Sequence, residues 1–397
     1  MELPTLKDYD LEDKKVLLRV DINSPIDPRS GEILDTFRFK CHIPTIEALN
    51  DAKVVILAHQ SRPGLEDFTT LEKHAHKLEE LLNREVEYVD DIFGSLARKR
   101  ISSLENGDIL LLENVRFCSE EISENVTKKK PKEQANTIFV RKLSKCVDFF
   151  INDAFAVSHR PQPSVVAFPT ILPCCAGLLL EKEVKMLSSI FETETSPRVF
   201  LFGGAKVKDS LKVIRRLIRN GLAEHILVAG VVANTFLKAK GISLGEENEK
   251  NLKKEDVELA RKILNEKIKI PIDVAYLENG ERKESKVEEM GKKKRKILDI
   301  GKETIEYFSS IIREAGLVVA NGPCGVYEME AFALGTKQIA KAIANSKATT
   351  ILGGGHLAAI VRSLGIAERF TFISTGGKAC LLFLAGEKLP GIEVLKR

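Results

Sequence analysis

The sequence predicts an α/β chain built from two doubly wound, parallel-sheet domains joined by a helix, on three observations. Short β-branched runs recur along the whole length, each followed by a polar or glycine-rich turn and then by helical periodicity. The runs are continuously apolar rather than alternating, which suits strands covered on both faces. Near the midpoint four prolines crowd into Arg160–Gly177 and give way to a helical pattern over Leu178–Leu187, the punctuation of a domain junction.

In order, Val16–Val20, Val54–Ala58, Ile109–Leu112 and Asp148–Ile151 are expected as strands of the first half. Arg198–Phe202, Ile226–Ala229, Leu317–Ala320, Thr349–Leu352 and Phe370–Ile373 are expected in the second, with the boundary near 175–195. A length of 397 residues at 44% hydrophobic content supports two buried cores. Lys+Arg 61 against Asp+Glu 57 leaves +4, too even a balance to suggest a nucleic-acid or membrane partner. The basic runs Lys128–Lys132 and Lys292–Lys296 are flanked by acids and lack interleaved aromatics, so they read as solvated loops or helix faces. The longest apolar run, Ile171–Leu180, contains Pro173 and falls short of a membrane span. The first ten residues carry acids and no apolar stretch, so no signal peptide is expected. Seven cysteines without a Cys-x-x-Cys suggest a reduced, cytoplasmic chain with thiols packed as small hydrophobes. His74 and His76 lie in a run of Glu and Lys that reads as a solvated helix face.

In open parallel sheets, ligands bind beyond the carboxyl ends of the strands. The first four strands run into Asp21-Ile-Asn23 with Arg38 following, His59-Gln60-Ser61-Arg62, Glu113-Asn-Val-Arg116, and Asn152-Asp153 followed by His159-Arg160. Each arginine alone is more often a surface ion-pair partner. Four of them after strand ends, with two histidines, point instead to a small anion bearing more than one negative group.

The second half carries glycines at the same positions: Gly203-Gly204-Ala205-Lys206, Gly230, Asn321-Gly-Pro323-Cys-Gly325-Val326-Tyr-Glu328, Gly353-Gly354-Gly355-His356 and Ser374-Thr-Gly-Gly377. Glycine lets backbone N–H groups approach phosphates, and a following helix N-terminus adds favourable potential. A nucleotide crevice is the reading. Gly353–Ala358 fits the spacing G-x-G-x-x-[G/A], which opens a dinucleotide alternative; the next strand ends in Ser374-Thr375 rather than an acid, which weakens it. A P-loop spacing does not occur.

At these residues the chain resembles the phosphoglycerate kinase family over nearly its whole length. Arg19–Asn23, His59–Pro63, Leu111–Phe117, Ile151–Phe155 through Arg160, Gly203–Val207, Asn321–Glu328, Ser374–Gly377 and Leu389–Gly391 carry the resemblance, and Gly-Gly-Gly-His is similar to its archaeal branch. The resemblance implies two Rossmann-like domains: a phosphoglycerate-binding domain over 1–175, a hinge helix over 176–193, a nucleotide-binding domain over 194–376, and a tail from about 377 that packs back on the first. It implies reversible transfer of the acyl phosphate of 1,3-bisphosphoglycerate to ADP, giving 3-phosphoglycerate and ATP with Mg²⁺, by in-line transfer after hinge closure. Asp21, Asn23, Arg38, His59, Gln60, Ser61, Arg62, Arg116 and Arg160 would hold phosphoglycerate. Gly204, Ala205, Lys206, Gly230, Asn321, Pro323, Gly325, Val326, Glu328 and Gly353–His356 would hold the nucleotide, Glu328 at the ribose. Arg38 and Lys206 would oppose each other across the migrating phosphoryl group. The expected state is a monomer, with a homodimer as the alternative.

Departures from the family pattern keep other readings open. Ser210 stands where a second Lys is usual, with Lys208, Lys212 and Lys378 as candidates to compensate or as plain solvated charges. His356 stands where an Asp usually contacts the metal, and a neutral imidazole is a poor partner for hard Mg²⁺, so the metal's protein ligands are left unassigned. A binding protein that has lost catalysis, and a kinase for another small carboxylate, are the alternatives.

Overall fold

The computed structural model describes residues 3–192 and 194–396. Contacts divide the chain into two units, Met1–Ser188 with Lys388–Arg397, and Ser189–Glu387.

The first unit is built on a parallel sheet of six strands. In chain order these are β1 (Lys15–Arg19), β2 (Lys53–Leu57), β3 (Glu87–Val89), β4 (Ile109–Leu112), β5 (Phe149–Asn152) and β6 (Cys174–Ala176). Their spatial order is β3-β4-β2-β1-β5-β6. The chain therefore moves outward from β1 through β2 and returns at β5, which places the topological switch point between β1 and β5, where Arg19 pairs with Asn152. Successive side chains explain the apolar runs: Val16, Leu18, Val54 and Ile56 enter the core on one face, and Leu17, Val55 and Leu57 enter the core on the other.

In the second unit the parallel strands are β7 (Arg198–Phe202), β8 (His225–Val228), β9 (Ile268–Lys269), β13 (Leu317–Asn321), β14 (Thr349–Gly353) and β15 (Phe372–Ile373). Their order is β15-β14-β13-β7-β8-β9, so the switch point lies between β7 and β13. Between them in sequence, β10 (Asp273–Glu278), β11 (Glu281–Lys286) and β12 (Ile297–Ile300) form a separate antiparallel sheet that the sequence reading did not contain. β11 reads Glu-Arg-Lys-Glu-Ser-Lys and is mostly solvated, so it gives no apolar signal.

Three further differences concern the junction and the tail. The proline-rich stretch contains β6, paired to β5, with Pro163 at the start of a short helix, Pro163–Val166. The helix after it runs over Leu178–Glu192, and the division between the units falls inside it. The segment that belongs to the first unit begins at Lys388, later than residue 377. The preceding helix, Lys378–Leu384, packs on the helix Val207–Arg219 of the second unit, where the Arg216 guanidinium donates to the Leu384 carbonyl at 3.2 Å. Gly391 fixes the tail: its carbonyl accepts from Asn152 Nδ2 at 2.9 Å, and a Cβ there would stand 2.6 Å from Val165 Cγ1. No helix among the described residues is long and apolar enough to cross a membrane.

Candidate active site

At the switch point of the first sheet, Asp21 follows β1 and is 3% exposed. A carboxylate that buried needs compensation. It receives the Arg38 guanidinium, Nη1 to Oδ2, at 2.7 Å, and the Asn23 N–H at 3.2 Å. Arg38 lies in the first turn of the helix Phe37–Glu47, which begins where Asp35 Oδ1 accepts the Phe37 N–H.

Beyond β2, His59 is buried, and its Nδ1 meets Arg19 Nη2 at 3.3 Å. A guanidinium only donates, so Nδ1 is the acceptor and the proton sits on Nε2. Burial, and then the charges of Arg116, Arg19, Arg160 and Arg38, hold His59 well below the ordinary imidazole range. It is a neutral donor set among guanidinium groups, with Asp21 Oδ1 4.0 Å from its Nδ1. The structure thus brings Arg38, Arg116 and Arg160 within electrostatic reach of one imidazole, and Arg62, exposed beside them, acts in turn on Arg160. Burial, with Arg160 and Arg19 nearby, lowers Arg116 to about 10, still fully charged at neutral pH.

Arg19, which is not among the residues expected to bind substrate, also belongs to this cluster. It lies inside β1 at 1% exposure, and its Nε donates to Ser164 Oγ at 3.1 Å. Ser164 Oγ in turn donates to the buried Glu121 at 2.6 Å. A charged residue within a strand covered on both faces was the available signal, since such a group persists only with partners.

Gln60 and Ser61, read from the sequence as substrate contacts, are taken up by the protein. Gln60 is fully buried; its Nε2 donates to the Ser24 and Asp67 carbonyls at 3.0 and 3.3 Å. Its Oε1 accepts from the Ser24 N–H and from His74 Nε2, each at 3.1 Å. Ser61 Oγ donates to Asp67 at 2.5 Å, and its carbonyl accepts from Arg116. These residues shape the turn and aim Arg116. His74 itself is buried, not solvated, and stacks on Phe39 at 5.7 Å between ring centroids; His76 is exposed.

In the second unit the glycines sort into two groups. A Cβ at Gly203 would stand 2.2 Å from the Pro323 carbonyl oxygen, one at Gly322 2.5 Å from that of Gly203, and one at Gly325 2.4 Å from Asp299 Oδ1. Neighbouring chain demands glycine at these points, and backbone donors there are engaged. The Gly204 N–H goes to Pro323 O at 2.8 Å and the Val326 N–H to Leu298 O at 2.7 Å. Gly230 abuts the Gly204 nitrogen, 2.7 Å from a Cβ.

Gly354 and Gly355 are different. Gly354 adopts φ +98°, a conformation that favours glycine, and a Cβ at Gly355 would meet nothing within 4 Å. They begin the helix Gly355–Ser363, whose first N–H groups have no intrahelical acceptor. Asn321 Nδ2 is buried without a hydrogen-bond partner and would stand 2.5 Å from a Cβ at Gly353. Lys206 reaches the same turn: a Cβ at Gly377 would lie 3.0 Å from its Nζ and 3.4 Å from Gly354 Cα. An ammonium, an orphaned amide donor and a helix N-terminus therefore gather at the ends of β7, β13 and β14, a setting made for phosphate. Ala205, Glu328, His356 and Lys378 are exposed around it, and the His356 ring lies 5.3 Å from that of Tyr327. Ser210 is buried, Lys208 is exposed, and Lys212 pairs with Glu387 at 2.8 Å. No group of three or more His, Cys, Asp or Glu among the described residues could hold a metal ion.

A family model described as phosphoglycerate kinase matches residues 6–387. A phosphoglycerate kinase of Methanothermus fervidus is 48% identical over 401 residues, covering 99% of this chain and 96% of the relative. One of Methanosarcina mazei is 50% identical over 399 residues, covering 99% and 94%. The crystal structure of phosphoglycerate kinase from Pyrococcus horikoshii OT3 superposes with a TM-score of 0.91 at 44% identity, covering 99% of this chain and 98% of that one. The chain belongs to the phosphoglycerate kinase family.

Proposed function

We propose that this chain catalyses reversible transfer of the acyl phosphate of 1,3-bisphosphoglycerate to ADP, with phosphoglycerate held at the β1/β5 end of the first unit and nucleotide at the β7/β13/β14 end of the second. The observation that carries the assignment of ends is the contrast between them. One end presents guanidinium groups around a neutral His59, suited to a carboxylate and phosphates. The other presents an ammonium, an amide and helix N–H groups, suited to a polyphosphate tail.

Phosphoryl transfer asks little of an acid or a base; rate comes from alignment and charge stabilisation. In the direction of ATP consumption, the attacking carboxylate is already ionised at neutral pH, so no general base is needed. Asp21 holds Arg38, which leaves most of that guanidinium's donors for the substrate carboxyl and the migrating group. Arg116, Arg160, Arg62 and His59 Nε2 complete the anion site, and Lys206 meets the transferring phosphate from the nucleotide side. Mg²⁺ enters with the nucleotide as part of the substrate. When bound, it would be held by phosphate oxygens and water, since the residues at the turn offer His356 rather than a carboxylate. Closure about the helix Leu178–Glu192 precedes transfer, and the enzyme is cytoplasmic.

The test is a coupled assay with 3-phosphoglycerate, MgATP and NADH oxidation as the readout. Turnover above blank with 3-phosphoglycerate, absent with other small carboxylates, supports the reading; nucleotide binding without turnover would replace it with a catalytically lost binding protein.

A further inference from the structure

We infer that His42 is a positioning residue for the reaction: it fixes the main chain of Asp21 beneath Arg38 and ties that setting to the start of the helix Leu178–Glu192. The inference rests on the placement of Arg38 and Asp21 in the phosphoglycerate site. His42 is 1% exposed and both ring nitrogens are engaged. The Asp21 N–H donates to Nε2 at 3.0 Å. A backbone N–H cannot accept, so Nδ1 carries the ring proton and donates to Asp153 Oδ2 at 2.6 Å. The other Asp153 oxygen, Oδ1, accepts the N–H groups of Leu179 and Leu180 at 2.9 and 3.3 Å, the first turn of the helix Leu178–Glu192. Gly177 permits this approach, for a Cβ there would lie 2.2 Å from that oxygen.

Arg38, His42 and Thr45 stand four and then three residues apart on one helix, a spacing that aligns them on one face. Arg38 binds the Asp21 carboxylate, His42 binds the Asp21 backbone and Asp153, and Thr45 Oγ1 accepts the Leu178 N–H at 3.1 Å. One helix face therefore holds Asp21 at both its ends and the start of the next long helix as well. Asp153, quoted among the strand-end groups of the sequence, is fully buried and serves this line. If the Asp21 backbone loses its acceptor, the carboxylate that orients Arg38 is freed to shift. Misplacement by about 1 Å of a group that acts in the transition state costs on the order of 10²-fold.

The experiment compares His42→Ala, His42→Asn and His42→Gln, each alone and combined with Arg38→Ala, by kcat and KM for both substrates and by thermal unfolding. The Gln amide can replace Nε2 as acceptor for Asp21, whereas Asn can replace only the donor to Asp153. Expected are kcat losses of roughly 10- to 100-fold for Ala and Asn, recovery with Gln to within about fivefold, and nucleotide KM within about twofold throughout. In the Arg38→Ala background the His42 losses should shrink to about twofold, because two residues acting through one group are not additive. A merely structural role would leave the losses undiminished in that background, which overturns the inference, as does a ranking with Asn above Gln. The Asn and Gln comparison decides the matter should the Ala variant not fold. An Arg38→Ala enzyme with wild-type kcat would instead bring down the site reading on which His42 depends, and the two failures are distinguishable.

Discussion

Replacing Arg38 with alanine tests the proposed reaction geometry directly. One guanidinium donor holds Asp21 Oδ2 at 2.7 Å, and the Arg38 side chain keeps 27% of its surface against 3% for Asp21. The arginine thus presents a charged fork outward from a buried anchor. Removing one aimed donor to developing charge typically costs 10²–10³ in kcat, about 3–4 kcal/mol. The same change strips Asp21 of a charged hydrogen-bond partner, at about 1–3 kcal/mol of stability. Asn23 N–H still satisfies its other oxygen, so the unit should remain folded. The coupled assay at saturating 3-phosphoglycerate and MgATP separates the two effects when run below the melting temperature of both proteins. Arg38→Lys should fall between them, retaining charge but losing the planar fork. A kcat for Arg38→Ala within about threefold of wild type would refute the role, because ground-state contacts alone cannot be asked for the effect sizes above.

Lys206→Ala should lower kcat more than it weakens nucleotide affinity; calorimetry that finds the whole effect in binding would reassign the ammonium to the ground state. Gly203→Ala drives a Cβ to 2.2 Å from backbone and should cost at least about 3 kcal/mol, while Gly355→Ala, with nothing within 4 Å, should leave thermal stability unchanged and weaken nucleotide binding. Equal effects of the two on melting temperature would count against the division of the glycines. Burial lowers His74 to about 4, so above pH 6.5 both folded and unfolded chains hold it neutral, and as pH falls the unfolded chain takes up the proton first. Stability is therefore lost between pH 6.5 and about 4, by about 3 kcal/mol from this group; His59 contributes in the same direction. Urea unfolding of His74→Gln at pH 7 and 4.5 should show a shallower acid loss than wild type, and an equally steep one would contradict the assignment.

The central strands were legible because each face of both parallel sheets is covered, which makes strands such as Val54–Leu57 apolar at every position. The strands that escaped are at edges or outside the large sheets. β3 and β6 are three residues each at the two edges of their sheet, and β11 is charged and half-solvated. His74 failed for a different reason. Its helix is polar enough in sequence to pass for a solvated face, and only the Phe39 ring and the Gln60 carboxamide, both distant in the chain, bring it inside.

The candidate site was legible as a set of strand-end residues but not in its internal division of labour, and hydrogen-bond capacity explains why. Gln60, Ser61, Asp153 and His42 carry the same polar atoms as functional groups do, yet every one of those atoms that matters is matched inside the first unit. Arg38, Arg62, Arg116, Arg160 and His59 Nε2 are the groups proposed to keep donors for the anion. Sequence names the residue types at a strand end; it does not say which polar atoms already have partners, because those partners, the oxygens of Ser24 and Asp67 and the N–H groups of Leu179 and Leu180, are brought there by the fold. The glycines obey the same logic in steric form. Gly203, Gly322 and Gly325 are required by chain already in place, whereas Gly355 faces open space. A ligand site in this fold is thus sought by subtraction: remove every group and every glycine that the protein's own packing accounts for, and what is left at the end of each sheet is the candidate for the anion proposed there.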